Sequence, residues 1–240
     1  VFRLGTLNDS DAVSFHPYGA RTLNSLTPAD QYIRHLKSLL KQASGREIPI
    51  WNTELYFVSN APMNSAAAAE VTAHDAAIRF LTDLGEGVGQ SISVTVNALF
   101  SPTLSARQCG GNDVVATHPS PVFAAYNALA RLFEAAKPVR KFKLPNDVVC
   151  YVFRKDGTLR AAIWRYDGRE TVSIRLPFRE GEITLCDLFG NVRSPESVLK
   201  LDQAPFYLIC RKGKEETFLA RLEKLNPEGE NPVMFGDLRP

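Results

Sequence analysis

The stretch IPIWNTELY, Ile48 to Tyr56, is an apolar run that closes on one ionisable side chain, Glu54. By a period of two, Ile48, Ile50, Asn52 and Glu54 share one face, with Trp51, Thr53 and Leu55 on the other. Upstream, VSFHPYG offers His16 and Tyr18, and downstream SISVTVNALF offers Asn97 and Phe100. A carboxylate with hydrogen-bond donors beside it stays ionised near neutral pH and can act as a nucleophile or general base. Rings such as Tyr56, Phe57 or Phe100 could stack on a flat apolar substrate face, whereas Trp51 by parity points away from Glu54 and reads as core. The plainer account of Glu54 is a hydrated strand end.

Positioning such a group needs a rigid post, and the chain supplies strands and helices in alternation up to about Ala136. DAVSFHPY reads as a strand stopped at Pro17. Thr27-Pro28 opens a helix with threonine as N-cap and proline in its first turn, and Ile33, Leu36, Leu39 and Leu40 give it an apolar stripe. IPIWNTEL is the second strand, a helix follows from near Ser65 to Leu84, and SISVTVNALF is the third strand. Ser120-Pro121 starts a third helix, with Phe123, Tyr126, Leu129 and Phe133 expected in a core. Repeated strand–helix units predict a parallel sheet covered by helices, either open and doubly wound or part of a (β/α)8 barrel. The third strand favours the barrel: Ile92, Val94 and Val96 would lie under the helices, and Ser91, Ser93, Thr95 and Asn97 inside. In parallel α/β folds the chemistry gathers at the C-terminal strand ends, where Glu54, His16, Tyr18 and Asn97 all fall.

After Pro145 the period changes to two. VVCYVF, LRAAIWRY, TVSIRL, EITLCDL and PFYLIC read as strands, with Asp156-Gly157 and Asp167-Gly168 as hairpin turns and Gly190-Asn191 as a further turn. The expectation is an antiparallel β-sandwich packed on the barrel portion. The domain limits are 1–140, 141–226 and an irregular Pro- and Gly-rich tail over 227–240.

VSFHPYG followed after one helix by IPIWNTE resembles the sixth and seventh strands of clan A retaining glycoside hydrolases, most closely family 39 and its relatives. LCDLFGNVRS and LDQAPFYLI are similar to the β-sandwich that follows the barrel in such enzymes. The resemblance implies O-glycosidic bond cleavage in oligo- or polysaccharides without a cofactor, with Glu54 as nucleophile. It places His16, Tyr18, Asn52, Asn97 and Phe100 in contact with the nucleophile or the sugar. It also exposes two departures. The clan's acid/base sits in an Asn-Glu pair, and no such dipeptide occurs here. Its eighth strand ends near a tryptophan, where only Phe100 stands. The expectation is therefore the C-terminal portion of a longer enzyme, inactive alone, with its acid/base upstream of Val1 and open strand edges prone to self-association. A secreted or periplasmic setting suits that substrate class. The competing reading is a non-catalytic carbohydrate-binding or scaffold protein whose β-domain does the binding through Tyr151, Trp164 and Tyr166.

Bulk properties exclude other classes. A net charge of +2 with 22% charged residues predicts no polyanion partner. The densest basic run, Lys137 to Lys143, reads as a solvated linker. No window reaches the roughly 20 apolar residues of a membrane span. None of the four cysteines forms C-x-x-C, and none of the four histidines stands in H-E-x-x-H. No G-x-S-x-G elbow occurs, and Gly85-Glu-Gly-Val-Gly89 follows a helix rather than a strand, the wrong order for a dinucleotide loop.

Overall fold

The computed structural model describes residues 5–17, 29–55, 66–93, 121–165, 171–194, 198–202, 204–225 and 233–234. Tyr18, Tyr56, Phe57, Asn97, Phe100 and Tyr166 lie outside these residues.

The strand–helix unit comprises β1 (Val13–Phe15), α1 (Ala29–Ser44), β2 (Ile50–Leu55), α2 (Ala66–Gly85), β3 (Gln90–Ser93) and α3 (Pro121–Phe133). The three strands form a parallel sheet in the order β1-β2-β3. Ile33 and Leu40 of α1 close over Phe15, Ile48 and Ile50, burying one face of the sheet. Each such side chain contributes roughly 1.5–3 kcal/mol on burial. The expected α1 stripe is narrower than its sequence spacing, since Leu39 is exposed.

Among the described residues the opposite face of the sheet carries exposed side chains, and the parity reading is corrected at two places. Trp51, expected in the core, is 41% exposed. In β3, Ser91 turns under α2 and Ile92 is exposed, the reverse of the expected order. A serine can lie under a helix here because a buried carboxylate on α2 receives its hydroxyl.

The antiparallel unit comprises β4 (Lys137–Leu144), β5 (Val148–Lys155), β6 (Thr158–Arg165), β7 (Val172–Arg175), β8 (Ile183–Cys186), β9 (Val192–Arg193), β10 (Val198–Leu201), β11 (Phe206–Cys210), α4 (Glu215–Glu223) and β12 (Val233–Met234). Seven of these strands form one sheet, β12-β4-β5-β6-β11-β8-β9, and β7 pairs with β10 as a separate ribbon. Asp156 and Gly157 both take positive φ, which matches the strand twist in a two-residue hairpin.

The sheet is buried on both faces. Helices α2 and α3 cover Tyr151, Phe153, Ala162, Trp164 and Tyr207 on one side. The β7–β10 ribbon and α4, through Leu199, Leu201, Phe218 and Leu222, cover Cys150, Val152, Ile163 and Leu208 on the other. Among the described residues the unit is thus helix, seven-stranded sheet, then a two-stranded ribbon plus helix.

Four further expectations change. Lys137 to Lys143 is strand β4 rather than a solvated linker, and Lys141 is 1% exposed within it. Phe123, expected in the core, is exposed, while Leu129 and Phe133 are buried. The tail contributes Val233–Met234 to the sheet edge beside β4. Helix α4 has no counterpart in the strand-only reading of that region.

Candidate active site

Glu54 stands at the C-terminal end of β2, the middle strand of the parallel sheet. Its Oε2 lies 3.1 Å from His16 Nδ1, and His16 follows the last residue of β1. The other ring nitrogen, Nε2, is 2.9 Å from Thr53 Oγ1, and Thr53 Oγ1 is 2.5 Å from Ser14 Oγ. A carboxylate only accepts, so in the neutral imidazole the proton belongs on Nδ1. Nε2 then accepts from the Thr53 hydroxyl, and Thr53 accepts from Ser14. The result is an ordered run of donors, Ser14 to Thr53 to His16 to Glu54, ending on the carboxylate. Glu54 and His16 side chains are 28% and 42% exposed, so a substrate can reach the pair.

Strict alternation would have set Glu54 on the same face as Asn52. The β2–β3 ladder breaks that alternation: Asn52 pairs with Ser91 and Leu55 with Ser93, which leaves one extra residue on β2. Such a bulge turns a side chain to the other face, a device common beside active sites. Here it carries Glu54 to His16 while Asn52 stays beneath α2.

Asn52 is fully buried and donates from Nδ2 to Asp83 Oδ2 at 2.7 Å. Ser91 Oγ donates to the same oxygen at 2.8 Å, and Arg79 Nε lies 3.1 Å from Oδ1. Burial pushes the Asp83 carboxyl up, against the pull of Arg79 and the two hydrogen bonds. Asn52 therefore belongs to a polar cluster behind the site rather than to a substrate surface. Tyr18, Asn97 and Phe100 lie outside the described residues, so of the expected set the structure brings together Glu54 and His16. Ser14, Thr53 and Asp83 escaped the sequence reading. For Asp83 a signal existed, an Arg and an Asp at i, i+4 within an otherwise apolar helix end.

Among the described residues no group of three or more His, Cys, Asp or Glu side chains could hold a metal ion, and no helix is long and apolar enough to cross a membrane. The buried cysteines Cys150, Cys186 and Cys210 are free thiols, with Cys150 pushed up to about 12 by burial.

No protein-family model and no curated protein sequence matches the chain. Solved structures do. A family 30 endoxylanase from Clostridium papyrosolvens matches 85% of this chain over 50% of its own, at TM-score 0.54 and 13% identity. The family 30 subfamily 8 xylanase Xyn30A from Clostridium acetobutylicum matches 85% of this chain over 51% of its own, at TM-score 0.50 and 13% identity. The chain thus spans about half the length of these structures. Both are TIM-barrel glycoside hydrolases, and the likeness is one of fold. Because both belong to family 30, the resemblance to family 39 widens to the coarser statement that the fold is shared with glycoside hydrolases.

Proposed function

We propose that the chain carries the nucleophile half of a retaining glycoside hydrolase active site, with Glu54 attacking the anomeric carbon. The observation behind this reading is the bulge-directed placement of Glu54 at a parallel strand end, 3.1 Å from His16 Nδ1. The donor run from Ser14 fixes one oxygen of the carboxylate, leaving the other for attack. Retaining hydrolysis forms a bond from Glu54 to the anomeric carbon as the glycosidic C–O bond breaks, and a second carboxyl group about 5–5.5 Å away protonates the departing oxygen. Water then displaces the sugar from Glu54, with that second group as base. We assign the second carboxyl to a segment outside these 240 residues. Tyr18, Asn97 and Phe100 remain in the proposed sugar-contacting set with His16, and Trp51 joins it as an exposed ring. The xylan-cleaving neighbours make a polysaccharide substrate the first to try.

The binding-protein alternative needs an exposed aromatic row on the antiparallel unit. Tyr151 and Trp164 are fully buried, their rings stacked at 5.5 Å between the sheet and its helices. Trp164 and Tyr151 serve the core, and catalysis is the better reading.

Stereochemistry tests the proposal. In the intact enzyme, the first product seen by proton NMR should keep the substrate's anomeric configuration. Inversion would rule out a glycosyl-Glu54 intermediate.

A further inference from the structure

We propose a second activity at the same strand ends: Thr53, His16 and Glu54 form a hydroxyl–imidazole–carboxylate triad that cleaves esters of short apolar carboxylic acids. This goes beyond the glycosidic reading, and in it Glu54 orients His16 while Thr53 attacks. The order of contacts carries the inference. Thr53 Oγ1 lies 2.9 Å from His16 Nε2, and Glu54 Oε2 lies 3.1 Å from Nδ1 of the same ring. A hydroxyl on one ring nitrogen and a carboxylate on the other is the arrangement of hydrolytic triads, recognised by geometry and roles rather than sequence position. In a regular strand consecutive side chains face opposite ways, so one ring would meet Thr53 or Glu54 but not both. The extra residue of β2 between the Asn52–Ser91 and Leu55–Ser93 rungs removes that bar.

With its proton held on Nδ1 by the carboxylate, the ring presents a basic lone pair to the Thr53 hydroxyl. Thr53 Oγ1 attacks the acyl carbon, Nε2 takes the hydroxyl proton, and the carbonyl electron pair moves to oxygen. Ser14 Oγ, 2.5 Å from the attacking oxygen, is a hydroxyl donor for that developing charge. On collapse the bond to the alcohol oxygen breaks, and the imidazolium gives its proton to that oxygen. Water then attacks the Thr53 ester. Nε2 takes a proton from the water and passes it to Thr53 Oγ1 as the acid leaves. Glu54 stays a carboxylate throughout. Thr53 is half-buried and His16 exposed, so an acyl group has an approach. Trp51, two residues before Thr53, and Ile92, on β3 between the two rungs, are both exposed. A short apolar acyl chain has these two side chains to lie against, which selects the ester class.

A short-chain alkyl fluorophosphonate tests the triad in the 240-residue chain. A hydroxyl activated by a neighbouring base attacks its phosphorus: the Thr53 oxygen bonds to phosphorus, fluoride leaves, and Nε2 takes the proton. Peptide mass spectrometry should find the adduct on Thr53, lost in Thr53→Val and kept in Thr53→Ser. His16→Gln should slow labelling by about 10²–10⁴-fold, the usual contribution of a general base. Nitrophenyl butanoate reads the full cycle. Nitrophenolate release should pass one equivalent per chain in the wild type and fall in Thr53→Val. No adduct on the folded chain, an adduct elsewhere in place of Thr53, or release at the wild-type rate in Thr53→Val overturns the proposal. An unchanged labelling rate in folded His16→Gln does the same. Where His16→Gln does not fold, Glu54→Gln decides: slower labelling supports the triad, and an unchanged rate overturns it. The fluorophosphonate reports on Thr53 and a glycosyl probe reports on Glu54, so failure of one reading is distinguishable from failure of the other.

Discussion

Lys141 of β4 places its Nζ 2.6 Å from Asp30 Oδ2 on α1, across the seam between the parallel and antiparallel units. The same nitrogen is 2.9 Å from Glu86 Oε1, and Arg34 Nε is 2.8 Å from Glu86 Oε2. Tyr151 OH donates to Glu86 Oε1 at 2.6 Å, and Lys37 Nζ donates to the backbone oxygens of Glu86 and Gly87. The two units are therefore locked by charge as well as by the α2 and α3 core.

Lys141→Met should destabilise the chain by about 3–5 kcal/mol, the usual cost of stranding buried carboxylates. Urea unfolding measures it. A loss under 1 kcal/mol, the level of an exposed pair, would show that the network contributes little.

The pH response follows from Glu86. Burial pushes its carboxyl up, but Arg34, Lys141 and Tyr151 outweigh that and hold it below the ordinary carboxylate range. A depressed acid contributes stability that is complete above its unfolded value of about 4.3 and is lost as pH falls through the folded one. Stability of the wild type should drop across that acid window, and Glu86→Gln should start lower and drop less steeply. Asp83, shifted the other way, acts in the opposite sense as it takes up a proton. Parallel acid limbs for wild type and Glu86→Gln would contradict the assignment.

Gly85 tests the packing at the same seam. A Cβ there would lie 2.3 Å from Tyr151 Cδ1, in a ring that is fully buried. Gly85→Ala should cost about 1–3 kcal/mol by overpacking, while Gly45→Ala meets no atom within 4 Å and suffers only from its positive φ. Thermal melts of the two variants compare them, and a Gly85→Ala protein as stable as wild type would refute the close contact.

Local patterns were legible where one physical rule acted alone. Alternation marked β5 and β6, the Asp156-Gly157 pair marked their turn, and Pro121 marked the start of α3. Reading failed where a distant partner changed what a residue could do. Lys141 looks like a linker lysine until Asp30 and Glu86, far away in sequence, neutralise it. Ser91 looks like a lumen residue until Asp83 receives its hydroxyl. Gly85 to Gly89, read from its order as a helix-to-strand connection and not a dinucleotide loop, is that connection, but the Tyr151 and Trp51 rings packed against its glycines could not be foreseen. Glu54 was found from its strand end, yet its direction depends on a bulge that no alternation pattern carries.

Covalent trapping tests the role of Glu54 most directly. A fluorodeoxyglycoside with a dinitrophenolate leaving group needs no proton donor, so attack can proceed in the 240-residue chain without a second carboxyl. A Glu54 oxygen bonds to the anomeric carbon, the bond from that carbon to the phenolic oxygen breaks, and dinitrophenolate departs with the electron pair. Peptide mass spectrometry over pentosyl and hexosyl probes should find the fluoroglycosyl mass on the peptide holding Glu54, and nothing on that peptide in Glu54→Gln. No adduct with any probe, an adduct on a different carboxylate, or labelling that survives Glu54→Gln would contradict the nucleophile assignment.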